Sequence, residues 1–141
     1  MPTSRPILYE GVLARNLRMG SGMYPKTVLR ERAFKFGLAV LKVVPAVRRH
    51  GVEFGPVAMQ LGRAATAVGA LLEEGSVALS RRDMAHKHAL ALREARESSY
   101  WLRMVREGGV AIADLPNLER EAGELGAMLT ASVRKLRTPL E

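Results

Sequence analysis

From Ser80 to Glu107 the chain reads SRRDMAHKHALALREARESSYWLRMVRE, a long run with neither proline nor glycine. Within it Met84, His88, Ala91, Ala95, Ser98, Leu102 and Val105 recur at alternating steps of four and three, which aligns them on one face of a helix. At about 1.5 Å per residue this helix is about 40 Å long, and its apolar face has to look inward. Ser80 is placed to cap it by accepting a hydrogen bond from the backbone NH of Asp83, and Gly108 and Gly109 supply the permissive backbone that lets it stop. Its far side carries Arg82, Arg93, Arg96, Tyr100 and Arg103, a stripe that solvation explains. Leu90, Trp101 and Met104 lie on one flank, roughly a quarter turn or more outside the core stripe at about 100° per residue. The apolar surface is therefore wider than one core needs, and these three residues are the expected oligomer interface.

The remaining segments supply partners for that helix. The first begins near Thr27, a plausible N-cap, and runs to Gly51 with Phe34, Leu38, Leu41, Val44 and Val47 facing inward. Pro45 removes a backbone donor there, so a kink or an early end near Val44 is expected. The second runs from about Phe54 to Ser76 with Pro56 in its first turn. Gly62, Ala64, Ala65, Ala67, Gly69 and Ala70 make it the helix that a neighbouring backbone can approach most closely. After the long third helix, Val110 to Asn117 forms a connection with Asp114 as cap, and the fourth turns Leu118, Ala122, Leu125, Leu129, Val133 and Leu136 inward before Thr138 and Pro139. Strand patterns are absent. The expectation is an all-α, antiparallel up-down-up-down four-helix bundle over residues 27–141, preceded by an adaptable N-terminal arm over residues 1–26. Within the arm Ile7 to Met19 has the makings of a short helix, marginal in water unless it docks.

Composition narrows the function. The 141 residues contain no cysteine, so neither disulfides nor thiolate chemistry is available, and a cytoplasmic setting is the expectation. No apolar run approaches a membrane span. A formal charge of +8 and a pI near 10.6 favour a polyanionic partner, nucleic acid or an acidic membrane surface, and charge alone does not choose between them. The membrane reading ranks last, and no membrane partner is expected, because outside the arm no exposed amphipathic helix pairs a Trp or Phe face with a basic one. His86 and His88 stand two positions apart on a helix, about 200° around it, and cannot share a metal ion. Ser98 and Ser99 lie in a helix interior with no nucleophile elbow, so no catalytic residues, metal or cofactor are expected. Glu73 and Glu74 read as a solvated pair at a helix end. Glu94 and Glu97, at the edge of the core stripe, call for a cationic partner, and Arg63 in the second helix is the candidate for a structural pair, whether buried or on the surface.

Three blocks carry a family resemblance: QLGRAATAVGALLEEG from Gln60, SRRDMAHKHALALREARESSYWLRM from Ser80, and ELGAMLTASVRKLR from Glu124. Together they resemble the bacterial four-helix bundle proteins encoded within 23S rRNA intervening sequences. Glu94, Ala95, Arg96, Glu97, Tyr100, Trp101 and Leu102 form the most specific part, and the resemblance spans roughly Leu29 to Arg137. In the second helix the chain departs from the family's frequent Pro and Asn, with Gly69 and Leu71 instead. The resemblance implies a non-enzymatic bundle that forms ring-like homopentamers and associates with nucleic acid. It also implies a likeness in fold to accessory proteins of diversity-generating retroelements, which work with a reverse transcriptase.

Topology then locates a nucleic-acid surface. In an up-down-up-down bundle the start of the first helix, the turn between the second and third, and the end of the fourth share one pole. That pole gathers Lys26, Arg30, Arg32, Lys35, Arg81, Arg82, Lys87, Arg134, Lys135 and Arg137 against Glu31, Glu73, Glu74, Asp83 and Glu141, ten cations against five acids for a net +5. The opposite pole balances, six against six. Arg30, Arg32, Arg81, Arg82, Lys87, Arg134, Lys135 and Arg137 are the candidate contacts for RNA or DNA. The alternative reading is a structural or protein-interaction oligomer whose charge serves solubility.

Overall fold

A computed structural model describes residues 26–140, in which four helices follow one another with no strand among the described residues. Helix α1 spans Lys26–His50, α2 Gly55–Ser76, α3 Arg81–Glu107 and α4 Leu115–Arg137, with a single turn of 3-10 helix at Val52–Phe54. Side-chain contacts fix the directions. Arg30 near the start of α1 meets Glu73 near the end of α2, Lys87 early in α3 meets Glu74, and Arg106 late in α3 meets Glu119 early in α4. Each helix is thus antiparallel to the next, and of the four neighbouring pairs α1 and α4 pack least extensively. Of the arm expected over residues 1–26, all but Lys26 lies outside the described residues, and Lys26 opens α1.

The long helix follows its sequence pattern from His88 onward, while near its start Ala85 is buried and Met84, expected inside, is half-buried. Ala85, His88, Ala91, Ala95, Ser98, Leu102 and Val105 are buried, Ser80 Oγ accepts from Asp83 N at 3.0 Å, and Gly109 takes a positive φ of 79° just past the end. Leu61, Leu72, Leu102, Leu125 and Leu129 join Phe36, Val40 and Val47 in the core. The two polar side chains buried there are satisfied: Ser98 Oγ donates to the Glu94 carbonyl at 2.8 Å, and His88 Nδ1 lies 2.7 Å from Ser132 Oγ. Burying either without a partner would cost about 1 to 3 kcal/mol.

Helix α1 departs from the expectation. Leu29, Ala33, Phe36, Val40, Val44 and Val47 face the core, whereas Phe34, Leu38 and Leu41, expected inside, are 63%, 44% and 47% exposed. Both sets are helically spaced, and hydropathy favours the bulkier one. What decides between them is backbone approach. A Cβ on Gly37 would stand 3.2 Å from the Ala65 carbonyl oxygen and 3.3 Å from Thr66 Cα, and one on Gly69 3.4 Å from the backbone of Ala33 and Phe34. The small residues of both helices mark this seam, and it rotates Phe34, Leu38 and Leu41 outward.

Other boundaries shift by one to three residues. Helix α1 begins at Lys26, so Thr27 lies within it rather than capping it, and it continues through Pro45 to His50 with no early end. Pro45 is exposed, which leaves the Leu41 carbonyl, deprived of its usual donor, on the solvent side. Helix α4 begins at Leu115, three residues before the expected Leu118, with Pro116 in its first turn. Asp114 stands at the N-cap position but its side chain makes no capping hydrogen bond.

Candidate nucleic-acid interface

The pole expected from topology forms, and its cations divide into three groups. Arg32 leaves the surface. Its Nε and Nη2 donate to the two oxygens of Glu121, both at 2.9 Å, Nη2 also reaches Glu124 at 2.6 Å, and Nη1 lies 3.2 Å from Met128 Sδ. The Arg32 and Glu121 side chains are only 11% and 12% exposed, so the Arg32 guanidinium, expected at the surface, is instead taken up in tying α1 to α4. Burial opposes its charge, but hydrogen bonds and attraction from Glu121 and Glu124 outweigh that and raise its pKa above the ordinary arginine value.

Three more cations have internal partners while keeping solvent contact. Arg30 lies 3.6 Å from Glu73, and Lys87 Nζ donates to Glu74 at 2.9 Å, which raises the lysine pKa. Glu73 and Glu74, read from sequence as a solvated pair, are indeed exposed, each beside one of these cations. Arg81 donates through Nε to the Leu136 carbonyl at 3.0 Å and through Nη2 to that of Lys135 at 2.6 Å. A helix leaves its last carbonyls without intrahelical donors, and the Arg81 guanidinium closes that end of α4 while contributing positive charge.

Arg82, Arg134 and Arg137 are exposed and form no ion pair among the described residues. Arg134 and Arg137, with Lys135, occupy the last turn of α4, and Arg82 the first turn of α3. Between these ends lies an open groove of about 610 Å³ lined by Arg81, Arg82, Ala85, His86, Leu136, Arg137, Thr138, Pro139 and Leu140. His86, read from sequence as an ordinary surface histidine, and Leu140, which the sequence did not single out, are brought to it by the antiparallel pairing of α3 with the end of α4. Only that pairing would have revealed them. At the opposite pole Arg106 pairs with Glu119 at 2.9 Å and Arg103 with Glu107 at 3.1 Å.

The Arg63 cluster assembles on the outer side of α2 and α3. Arg63 Nε donates to Gln60 Oε1 at 3.0 Å, Nη1 to both Glu94 oxygens at 3.2 and 3.3 Å, and Nη2 to Glu97 Oε1 at 2.5 Å, where Trp101 Nε1 also donates at 3.1 Å. With its side chain 47% exposed, Arg63 forms a surface network rather than a buried pair. Hydrogen bonds from Arg63 and then Trp101 lower the Glu97 pKa against the modest opposing effect of burial. Beside it, Leu90 and Trp101 are half-buried, and Met104 and Tyr100 are 38% and 55% exposed.

Comparison with known proteins adds what the geometry alone does not name. Residues 26–131 match the family described as 23S rRNA-intervening sequence protein. The chain belongs to that family. Among solved structures it is similar to a protein of unknown function from the S23 ribosomal protein family of Bacteroides thetaiotaomicron, with a TM-score of 0.70 and 23% identity over 77% of this chain and 97% of that one. At that identity the likeness establishes the fold alone. No curated protein sequence matches the chain. The matched span takes in all of α1 to α3 and α4 up to Ala131, leaving residues 1–25 and everything from Ser132 on, the last six residues of α4 included, outside it. Among the described residues no helix is long and apolar enough to cross a membrane, and no three His, Asp or Glu converge as a metal site would require.

Proposed function

We propose that this 23S rRNA-intervening sequence family member is a non-enzymatic bundle that binds nucleic acid across its basic pole and works in the cytoplasm. The observation that carries the reading is a groove lined by Arg82 and Arg137, unpaired among the described residues, and by Arg81, with the likewise unpaired Arg134 in the same last turn of α4 as Arg137. Guanidinium groups suit phosphate because their planar donors meet its oxygens in pairs. The family name, with its reference to rRNA, supports RNA as the first ligand to try. Self-association through Leu90, Trp101 and Met104, as the pentamer implied by the resemblance, would set several poles on one end of a ring and multiply the local potential. A reverse transcriptase or similar nucleic-acid enzyme is the kind of partner such an accessory would serve.

The rival reading, a protein-interaction oligomer, is favoured by the exposed Tyr100 and Met104 beside the half-buried Trp101. Titrating a fluorescent RNA of about 20 nucleotides with the protein at several salt concentrations separates the two. Phosphate neutralisation makes log K fall linearly with log salt, with a slope of about −0.7 per single-strand contact or −0.9 per duplex contact. Absence of binding at low salt would favour the rival.

A further inference from the structure

The groove at the basic pole has a lining that phosphate binding leaves unexplained. Beside its guanidinium groups stand Leu136, Pro139 and Leu140, with Leu140 78% exposed, and no Asp or Glu lines it among the described residues. Phosphate oxygens gain nothing from leucine or proline. The volume of about 610 Å³ falls within the range of about 300 to 1,000 Å³ typical of pockets for one small molecule, so it is matched to a nucleotide rather than to a double helix. A duplex also keeps its base faces stacked inside and offers a protein mainly phosphates, sugars and a shallow minor groove. An unpaired base presents its flat faces.

Arg81 supplies a surface for such a base. Its Nε donates to the Leu136 carbonyl at 3.0 Å and its Nη2 to that of Lys135 at 2.6 Å, with the Thr138 carbonyl 3.5 Å from the same nitrogen. These bonds use the edge of the guanidinium and fix its plane while the side chain stays exposed, so a flat cation is held in place for a base to stack on. His86, exposed one helical turn beyond Arg82, adds an aromatic ring to the lining. Arg82 and Arg137, with no ion pair among the described residues, are left for phosphate. On the reading of the pole as a nucleic-acid surface, on which this step rests, we propose that the groove receives an unpaired base of a single RNA strand. The base stacks on Arg81 and packs against Leu140, Arg82 and Arg137 hold the adjoining phosphates, and the pole thereby selects single strands over duplex.

Three labelled ligands of about 20 nucleotides test this with the full chain: a mixed-sequence RNA strand without self-pairing, the same strand annealed to its complement, and a strand of stable abasic units that keeps the phosphates and lacks the bases. Anisotropy titrations compare them at one low salt concentration. The single strand should bind about tenfold or more tightly than either of the others, the scale expected of one base stacked on the protein. Phosphate attraction alone would favour the duplex, whose charge density is higher. Leu140→Ala, at an exposed position, and Arg81→Lys, which keeps the charge and loses the plane, should each cut the advantage over the abasic strand to about threefold or less. Both should leave binding of the abasic strand within about twofold of the parent. A duplex or abasic strand that binds as tightly as the single strand would overturn the base site and leave the pole a phosphate surface. A single-strand advantage that neither variant reduces would put the base elsewhere and overturn it too. Failure of all three ligands to bind would remove the nucleic-acid reading along with it.

Discussion

Arg32 and Glu121 close the bundle: two parallel hydrogen bonds of 2.9 Å join the first helix to the last, the neighbouring pair that otherwise packs least extensively. Glu124 adds a third contact to the same guanidinium. Because both members of the pair are largely shielded, removing one strands the other. Arg32→Ala should lower stability by about 2 to 4 kcal/mol, near or below the range for a fully buried pair. Arg32→Met combined with Glu121→Leu should recover most of that loss, since it replaces both charges with apolar groups. Urea unfolding followed by circular dichroism measures each variant.

The Arg63 network should behave differently, because it is exposed. Its double-mutant coupling with Glu97 should stay under about 1 kcal/mol. The sign with pH follows from the lowered Glu97 pKa. A carboxylate with a folded pKa below its unfolded value contributes fully above the unfolded value, about 4.3, and loses that contribution as pH falls through the folded one. Urea midpoints of the parent and Glu97→Gln should therefore differ slightly at pH 6 and converge near pH 3, with Trp101 fluorescence as the local probe.

Two glycine substitutions test the seam that rotates α1. Gly37→Ala would press a methyl against the Ala65 carbonyl and the Thr66 backbone, neither of which can swing aside. The cost of overpacking, about 1 to 3 kcal/mol, outweighs or cancels the gain in helix propensity of about 1. Gly123→Ala meets nothing within 4 Å and should raise the thermal midpoint, a gain of about 0.5 to 1 kcal/mol. In differential scanning calorimetry the Gly37→Ala midpoint should fall or stay level while that of Gly123→Ala rises if the seam is real, and both should rise if it is not.

The sequence was most legible where a periodic stripe coincides with end signals. In α3, Ser80, the buried face from His88 to Val105 and Gly109 all stand where spacing and capping chemistry put them. It was least legible in α1, where two helical stripes compete and the small residues Ala33 and Gly37 decide between them through backbone approach, which hydropathy does not register. The pole was legible from topology, since helix order alone brings the end of α4 to the start of α3. Arg32 was not, because its fate depends on the rotation of α1 and the reach of its side chain to Glu121. The Arg63 pairing was legible from spacing, but its exposure required the packed helices.

Charge reversal at each pole separates binding across the basic pole from attraction spread over the whole surface. Arg82→Glu, Arg134→Glu and Arg137→Glu are combined in one protein, Arg48→Glu, Arg49→Glu and Arg106→Glu in another, and RNA affinity is measured by fluorescence anisotropy across a salt series. The first triple should bind about a hundredfold or more weakly, with a slope flatter by about 0.7 per lost single-strand contact, while the second should stay close to the parent. Equal losses from the two triples would contradict a polar site and leave only diffuse attraction.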